Sequence, residues 1–248
     1  TVEALEAGLR PFVYRRYLDF GAIAALREMK AMIRAAGRGE RLRPLTDRTP
    51  KALIEVGDQT LIERHLAALA AAGVHEIVIN LAWQGDRIER HLGSGEAFGL
   101  DIHYSREPEG ALETAGGVRH ALPLLGQAPF ILISADALTD FPLASLLTRT
   151  PAAVGHLVLV DNPPHHAQGD FGLKDGHLTR NSPRFTYSGI GVFRPSAFQA
   201  LEPGPRALRS VFETAIDARQ LSGEYYSGRW LDVGTPQRLE RARALIAD

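Results

Sequence analysis

From Met29 onward, apolar runs of strand length alternate with stretches of helical periodicity, and that rhythm calls for βαβ units and a largely parallel sheet. Residues 29–33, 76–80, 101–105 and 130–136 read as strands, and residues 61–72, 85–92 and 114–122 as the helices between them, the first stopped by Gly73. Asp136 falls at the end of the most apolar strand. After a strand at 156–160 the pattern changes. Asp175-Gly176, flanked by apolar residues within 171–178, signals a hairpin, and 185–193 is strand-like, so this half is more antiparallel. Residues 206–221 predict a helix, 224–233 carry strand character, and 236–247 close the chain with a helix that has Pro in its first turn. The expected fold class is α/β, a Rossmann-like mixed, mainly parallel sheet flanked by helices, with a more antiparallel second half.

Composition narrows the partners. The 248 residues are 45% hydrophobic, enough for a sizeable core, and we expect one main domain over 29–248 with residues 1–28 as an N-terminal extension. Lys and Arg number 28 against 29 Asp and Glu, a formal charge of -1, which argues against nucleic acid as the main partner but leaves small anions open. There is no Cys, so disulfides and thiolate metal sites are excluded and a cytoplasmic protein is the simplest reading. No apolar run approaches the roughly 20 residues of a membrane helix, so no membrane partner is expected.

Three groups of residues carry chemistry. The first strand runs directly into Ala35-Ala36-Gly37-Arg38-Gly39-Glu40-Arg41-Leu42-Arg43-Pro44, and Thr49-Pro50-Lys51 follows. Small residues let backbone N–H groups approach a polyphosphate, and Arg41 and Lys51 can neutralise its charge. The loop is neither a Walker A motif nor a dinucleotide fingerprint, since GxxxxGK[ST] is missing and the third Gly of the fingerprint is not there. The second group is a pair of carboxylates far apart in sequence. Asp136 ends the strand FILISAD, where open α/β sheets place their ligands, and Asp232 lies in WLDVGT. Either one alone is more often a cap or turn residue. Together they suit a hard Mg²⁺, which needs few protein ligands and otherwise takes phosphate oxygens and water. The third group lies in the antiparallel half, where Gly169-Asp170-Phe171 and Ser188-Gly189 include a carboxylate able to accept hydrogen bonds.

AAGRGERLRPLTDRTPK resembles the N-terminal signature of the sugar-1-phosphate nucleotidyltransferases. LIERHLAALAAAGVHEIVIN, ALETAGG, HLVLVDNPPHH, GDF and WLDVGT extend the likeness over nearly all of 29–248, toward the uridylyltransferases of cell-wall recycling that act on N-acetylmuramic acid 1-phosphate. The resemblance implies transfer of UMP from UTP to a sugar 1-phosphate with release of pyrophosphate. It implies Mg²⁺ held by Asp136 and Asp232, and a catalytic set of Arg41, Lys51 and Asp136. It implies a nucleotide site formed by Ala36, Gly37, Gly39, Glu40, Arg41, Lys51 and Ser134. Glu113 and Gly116 of Leu112-Glu113-Thr114-Ala115-Gly116-Gly117 would pack near the base, with the Asn80 amide beside them. The sugar pocket would be lined by Gly169, Asp170, Ser188 and Gly189. Residues 10–29 resemble the C-terminal tail of an aminoglycoside-kinase-type phosphotransferase, which implies a functional or covalent link to a sugar kinase.

The match departs at four places. Arg34 stands where relatives carry Leu, and a buried guanidinium is costly unless paired or solvated. Ser134-Ala135-Asp136-Ala137 replaces an Asn-Gly-Asp-Val type of segment, Ala115 replaces Gly, and Ala52 replaces Pro. The same fold could serve a guanylyltransferase acting on mannose 1-phosphate, or a non-catalytic subunit that binds nucleotide sugars.

Overall fold

The computed structural model describes residues 29–108, 112–149, 151 and 153–247; the expected extension at 1–28 lies outside the described residues. The chain runs through β1 (Ala31–Arg34), β2 (Glu55–Val56), β3 (Gln59–Thr60), α1 (Leu61–Ala72), β4 (Glu76–Leu81), α2 (Gly85–Leu92), β5 (Asp101–Arg106) and α3 (Glu113–Leu125). It continues with β6 (Phe130–Ser134), β7 (Ala137–Thr139), β8 (Gly155–Val160), β9 (Phe171–Lys174), β10 (His177–Thr179), β11 (Arg184–Phe193), α4 (Leu208–Asp217), β12 (Leu221–Tyr225), β13 (Trp230–Asp232) and α5 (Pro236–Ala247), with single helical turns between.

Nine strands form one sheet in the order β5-β4-β1-β6-β11-β8-β12-β10-β9. The first four are mutually parallel. β11 then enters antiparallel between β6 and β8, and apart from the parallel pair β8–β12 the remaining ladders are antiparallel. The mixed sheet thus divides as its hydrophobic pattern suggests. Because β4 flanks β1 on one side and β6 flanks it on the other, the strand order reverses there, and a cleft opens beyond the carboxyl ends of these two strands.

Both faces of the sheet are covered, which explains the unbroken apolar runs of β1 and β6. Successive residues alternate between two cores: Ile33, Ile131 and Ile133 meet α1 and α2 through Leu66, Leu69 and Ile88. Met32, Phe130 and Leu132 meet α3 and α4 through Val118 and Phe212. A smaller cluster of Leu42, Val56, Leu61, Leu231 and Leu239 ties α5 and β13 to the segment after the glycine loop. α1 starts where its sequence dictates. The Thr60 hydroxyl accepts from the Glu63 N–H and the Glu63 carboxylate accepts from the Thr60 N–H at 2.7 Å, a capping box, and Gly73 at φ 86° ends the helix.

Several boundaries differ from expectation. α3 continues through Pro123 to Leu125. The helix expected over 206–221 is α4, ending at Asp217, because fully buried Leu221 begins a strand paired to Gly155 of β8. The strand expected over 130–136 ends at Ser134, and 135–136 form a turn. The stretch at 224–233 divides between β12 and β13, and the latter pairs with β7, a strand the sequence reading did not foresee. Among the described residues, no helix is long and apolar enough to cross a membrane.

Candidate active site

The cleft beyond β1 and β6 holds a cavity of about 720 Å³, floored by the loop from Arg34 to Arg41 and walled by Lys51, Asn80, Glu113, Thr114 and Asp136. Ala36, Gly37, Gly39, Glu40, Arg41 and Ser134 all face it. The two glycines serve different ends. Gly39 is in the left-handed region at φ 65°, and a Cβ there would lie 2.9 Å from the Thr46 methyl and 3.2 Å from Cβ of Lys51. Buried Thr46 fastens this turn by donating to the Gly39 carbonyl at 2.8 Å. Gly37, by contrast, would project a Cβ into open cavity, so its missing side chain makes room for an occupant. Gly234 of the WLDVGT segment lets two guanidiniums close in, since a Cβ would meet Arg238 Nη2 at 2.4 Å and Arg41 Nη2 at 3.1 Å.

Asn80 is spent on architecture more than on recognition. Its Oδ1 accepts from the Ala35 N–H at 2.8 Å and its Nδ2 donates to Glu107 Oε1 at 2.6 Å, while Glu107 Oε2 accepts from the Leu112 N–H at 3.2 Å. The amide thereby ties the glycine loop to the turn that starts α3. Glu107, which also lines the cavity, was not singled out in the sequence; its one signal is position, directly after β5 and opposite the Asn80 strand end. Glu113 lines the cavity with φ 55°, a strained backbone for a residue with a side chain and typical of ligand sites. Gly116 lies away from it. A Cβ at Gly116 would sit 2.4 Å from the Gly204 carbonyl, so this glycine serves close packing of α3 on the segment before α4.

Asp136 is the electrostatic centre. Burial pushes its carboxyl up, but the adjacent Lys51 ammonium, the hydrogen bonds from Lys51 and Ser134, and the Arg34 charge together outweigh burial and hold it at about 2. Lys51 pairs with Oδ2, and Ser134 Oγ donates to Oδ1 at 2.6 Å. The carboxylate is therefore ionised at any working pH. Beneath it, His65 is held neutral: burial lowers it to about 4 against the opposing pull of Asp136 and a backbone bond to Ala137.

Asp232 reaches the same neighbourhood from the other half of the chain. The β7–β13 ladder sets it opposite Ala137, and the Val233 N–H donates to the Asp136 carbonyl at 2.8 Å. Asp232 does not itself line the cavity; Arg238 pairs with its Oδ2, and His165 Nε2 lies 3.1 Å from its Oδ1. That Oδ1 is buried and accepts no hydrogen bond among the described residues, a position that costs roughly 1–3 kcal/mol unless a donor or cation serves it. Two hard oxygen donors, one of them underserved, fit a magnesium ion that takes its remaining ligands from phosphate and water. Among the described residues, no group of three or more metal-ligating side chains exists.

A second cavity of about 510 Å³ opens in the antiparallel half, and Arg34 lines this one as well as the first. Gly169 and Asp170 border it. Asp170 Oδ2 accepts from the Tyr187 N–H at 2.9 Å, and Oδ1 lies 3.1 Å from His166 Nε2, so both oxygens are engaged. Ser188 and Gly189 fall outside the cavity. Ser188 is buried and donates to the Val158 carbonyl at 2.7 Å. Gly189, at φ 83°, lies in the bulge of β11, where a Cβ would strike that of Ser134 at 2.8 Å. Arg34 Nη1 donates to Thr114 Oγ1 at 2.7 Å, and its Nε is buried without a hydrogen-bond partner among the described residues. Trp83 stacks under Arg38 with the guanidinium carbon 4.5 Å from the ring centroid, at the cavity rim.

The nucleotidyl transferase family profile matches residues 30–177. The chain is 49% identical to the N-acetylmuramate alpha-1-phosphate uridylyltransferase of Neisseria meningitidis, over 88% of this chain and 98% of that protein. It is 33% identical to the enzyme of the same name from Caulobacter vibrioides, over 88% and 97%. In fold it is similar to a candidate glucose-1-phosphate thymidylyltransferase from Bacillus anthracis, with a TM-score of 0.80 at 22% identity, covering 89% of this chain and 96% of that one.

Proposed function

Because the chain belongs to the nucleotidyl transferase family, we propose that it transfers UMP from UTP to N-acetylmuramic acid 1-phosphate and releases pyrophosphate, a cytoplasmic step in peptidoglycan recycling. The observation that carries this reading is the shared wall. Arg34 borders a glycine-floored anion cavity on one side and a cavity suited to a polar sugar on the other, and Asp136 lies beside it. Two phosphorylated substrates bound in those cavities meet there.

The reaction is a single displacement. An oxygen of the sugar 1-phosphate forms a bond to the α-phosphorus of UTP, the bond from that phosphorus to the α,β-bridging oxygen breaks, and pyrophosphate carries the electron pair away. A phosphate monoester is already anionic near neutral pH, so no side chain need remove a proton. The protein's task is positioning and charge neutralisation. Backbone N–H groups of residues 36–39 cradle the triphosphate, and Arg41 neutralises the leaving pyrophosphate. Lys51 exchanges part of its pairing with Asp136 for the oxygens around the α-phosphorus. Asp136 and Asp232 would hold Mg²⁺, which when bound draws charge from the phosphate oxygens.

The test is a pyrophosphate-release assay over UTP, GTP and dTTP crossed with N-acetylmuramic acid, glucose and mannose 1-phosphates. The reading predicts the highest kcat/KM for UTP with N-acetylmuramic acid 1-phosphate. A maximum at GTP with mannose 1-phosphate would transfer the chain to guanylyltransferase chemistry, and nucleotide binding with no release for any pair would make it a non-catalytic binder.

A further inference from the structure

The smaller cavity carries more positive charge than a neutral sugar requires. Three guanidiniums line it, from Arg34, Arg184 and Arg209, against one carboxylate, Asp170. Asp170, already engaged by the Tyr187 N–H and His166, offsets only part of that charge. Arg34 is shared with the larger cavity and is thereby placed for the 1-phosphate where the two substrates meet. Arg184 and Arg209 line the smaller cavity alone.

These two side chains are held with donors to spare. Arg184 spends Nε and Nη2 on the Arg180 carbonyl, and Arg209 spends Nε on Glu213 at 2.8 Å. Both terminal nitrogens of Arg209 and one of Arg184 make no hydrogen bond among the described residues. Arg209 also sits in the first turn of α4, whose N-terminus has no side-chain cap among the described residues, so free backbone N–H groups and the positive end of the helix add to the same region. A guanidinium presents a planar fork that matches the two oxygens of a carboxylate.

We propose that Arg184 and Arg209 form a subsite for a second anionic group on the sugar, a carboxylate separate from the 1-phosphate, and that this subsite selects acidic sugar phosphates over neutral ones. This rests on the transferase reading above and names the residues that make its sugar specificity. N-acetylmuramic acid bears such a carboxylate on its ether substituent, whereas N-acetylglucosamine lacks the substituent altogether. A neutral sugar in the cavity leaves the two forks facing solvent; an acidic one satisfies them.

The experiment compares N-acetylmuramic acid 1-phosphate with its carboxamide, by calorimetry in the presence of a non-hydrolysable UTP analogue and by pyrophosphate release with UTP. The native protein should bind the acid about 30-fold more tightly than the amide, as a charge-assisted fork contact implies. In Arg184→Ala/Arg209→Ala that preference should fall below about threefold, and Arg209→Lys in an otherwise native chain should keep a preference near tenfold, because the charge remains while the fork is lost. Equal affinity for acid and amide in the native protein, or an undiminished preference in the double variant, overturns the subsite. Its failure and that of the transferase reading are separable: pyrophosphate release without a preference for the acid sinks the subsite alone, whereas a preference for the acid without release sinks the transferase reading and leaves the subsite standing.

Discussion

The two cavities share Arg34 but are built on opposite plans. The larger lies at the carboxyl ends of parallel strands, is floored by backbone and glycine, and has its central charge, Asp136, half-buried and neutralised by Lys51. The smaller is made by side chains of an antiparallel region whose arginines lie on an exposed rim. The lesson is one of coupling. Where charge is partly buried and paired, the groups that perform chemistry also hold the fold together, and where it is exposed, recognition can change at little cost to the scaffold.

The largest effect should therefore come from Lys51→Ala, which removes both a transition-state contact and the partner of a half-buried carboxylate. Turnover in the pyrophosphate-release assay should fall by about 10²–10³-fold, the scale of one lost electrostatic contact. Turnover within tenfold of native would show that the Lys51–Asp136 pair is structural and would dissolve the contrast.

Next comes acid sensitivity, whose largest single contribution should come from His65, close to Asp136. His65 refuses a proton in the fold down to about 4 but accepts one near its ordinary value when unfolded. The unfolded state thus binds more protons between those values, and stability must decline as pH falls from about 6.5 toward about 4, by on the order of 3 kcal/mol in total. Denaturant titrations across that window should show the slope, and His65→Gln should flatten it. An unchanged slope in that variant would locate the acid response elsewhere.

Smaller again is the difference between two neighbouring glycines. Gly39→Ala forces a side chain into left-handed backbone against Thr46 and should lower stability by roughly 1–3 kcal/mol. Gly37→Ala meets no protein atom and should leave the melting temperature within experimental error while raising KM for the nucleotide. Equal losses of stability at both would deny that the second glycine makes room for a ligand. The least effect is expected at the rim: Trp83→Ala removes the stack under Arg38 and should cost about 0.5–1 kcal/mol in nucleotide affinity.

What could be read in the chain follows the same division between local and distant causes. α1, α2 and α5 begin and end where the sequence reading set them, and for α1 the reason is visible in Thr60, Glu63 and Gly73, all signals within a few residues. α4 stops early because Leu221 is claimed by β8, a partner more than sixty residues away that no local pattern reveals. At the site, the glycine loop, Lys51 and Asp136 come together around one cavity, since charged and glycine-rich motifs at strand ends announce themselves. Ser188 and Gly116 share those motifs yet lie outside both cavities, because their neighbours in space, Val158 and Gly204, come from other parts of the chain. Glu107 has no motif at all; its place beside Asn80 exists only once β4 and β5 are paired.

The bulge in β11 also spans the wall between the two cavities. This strand puts Tyr187 at the smaller cavity and Gly189 against Ser134 of the larger one, with the register shift lying between Tyr187 and Gly191. On the proposed reading it would act as a ruler two residues long, setting how far the acceptor stands from the donor. Adding or deleting one residue there would change the spacing between the two cavities without removing a single charged group, so the length of this kink would matter to the chemistry alongside the ionised side chains.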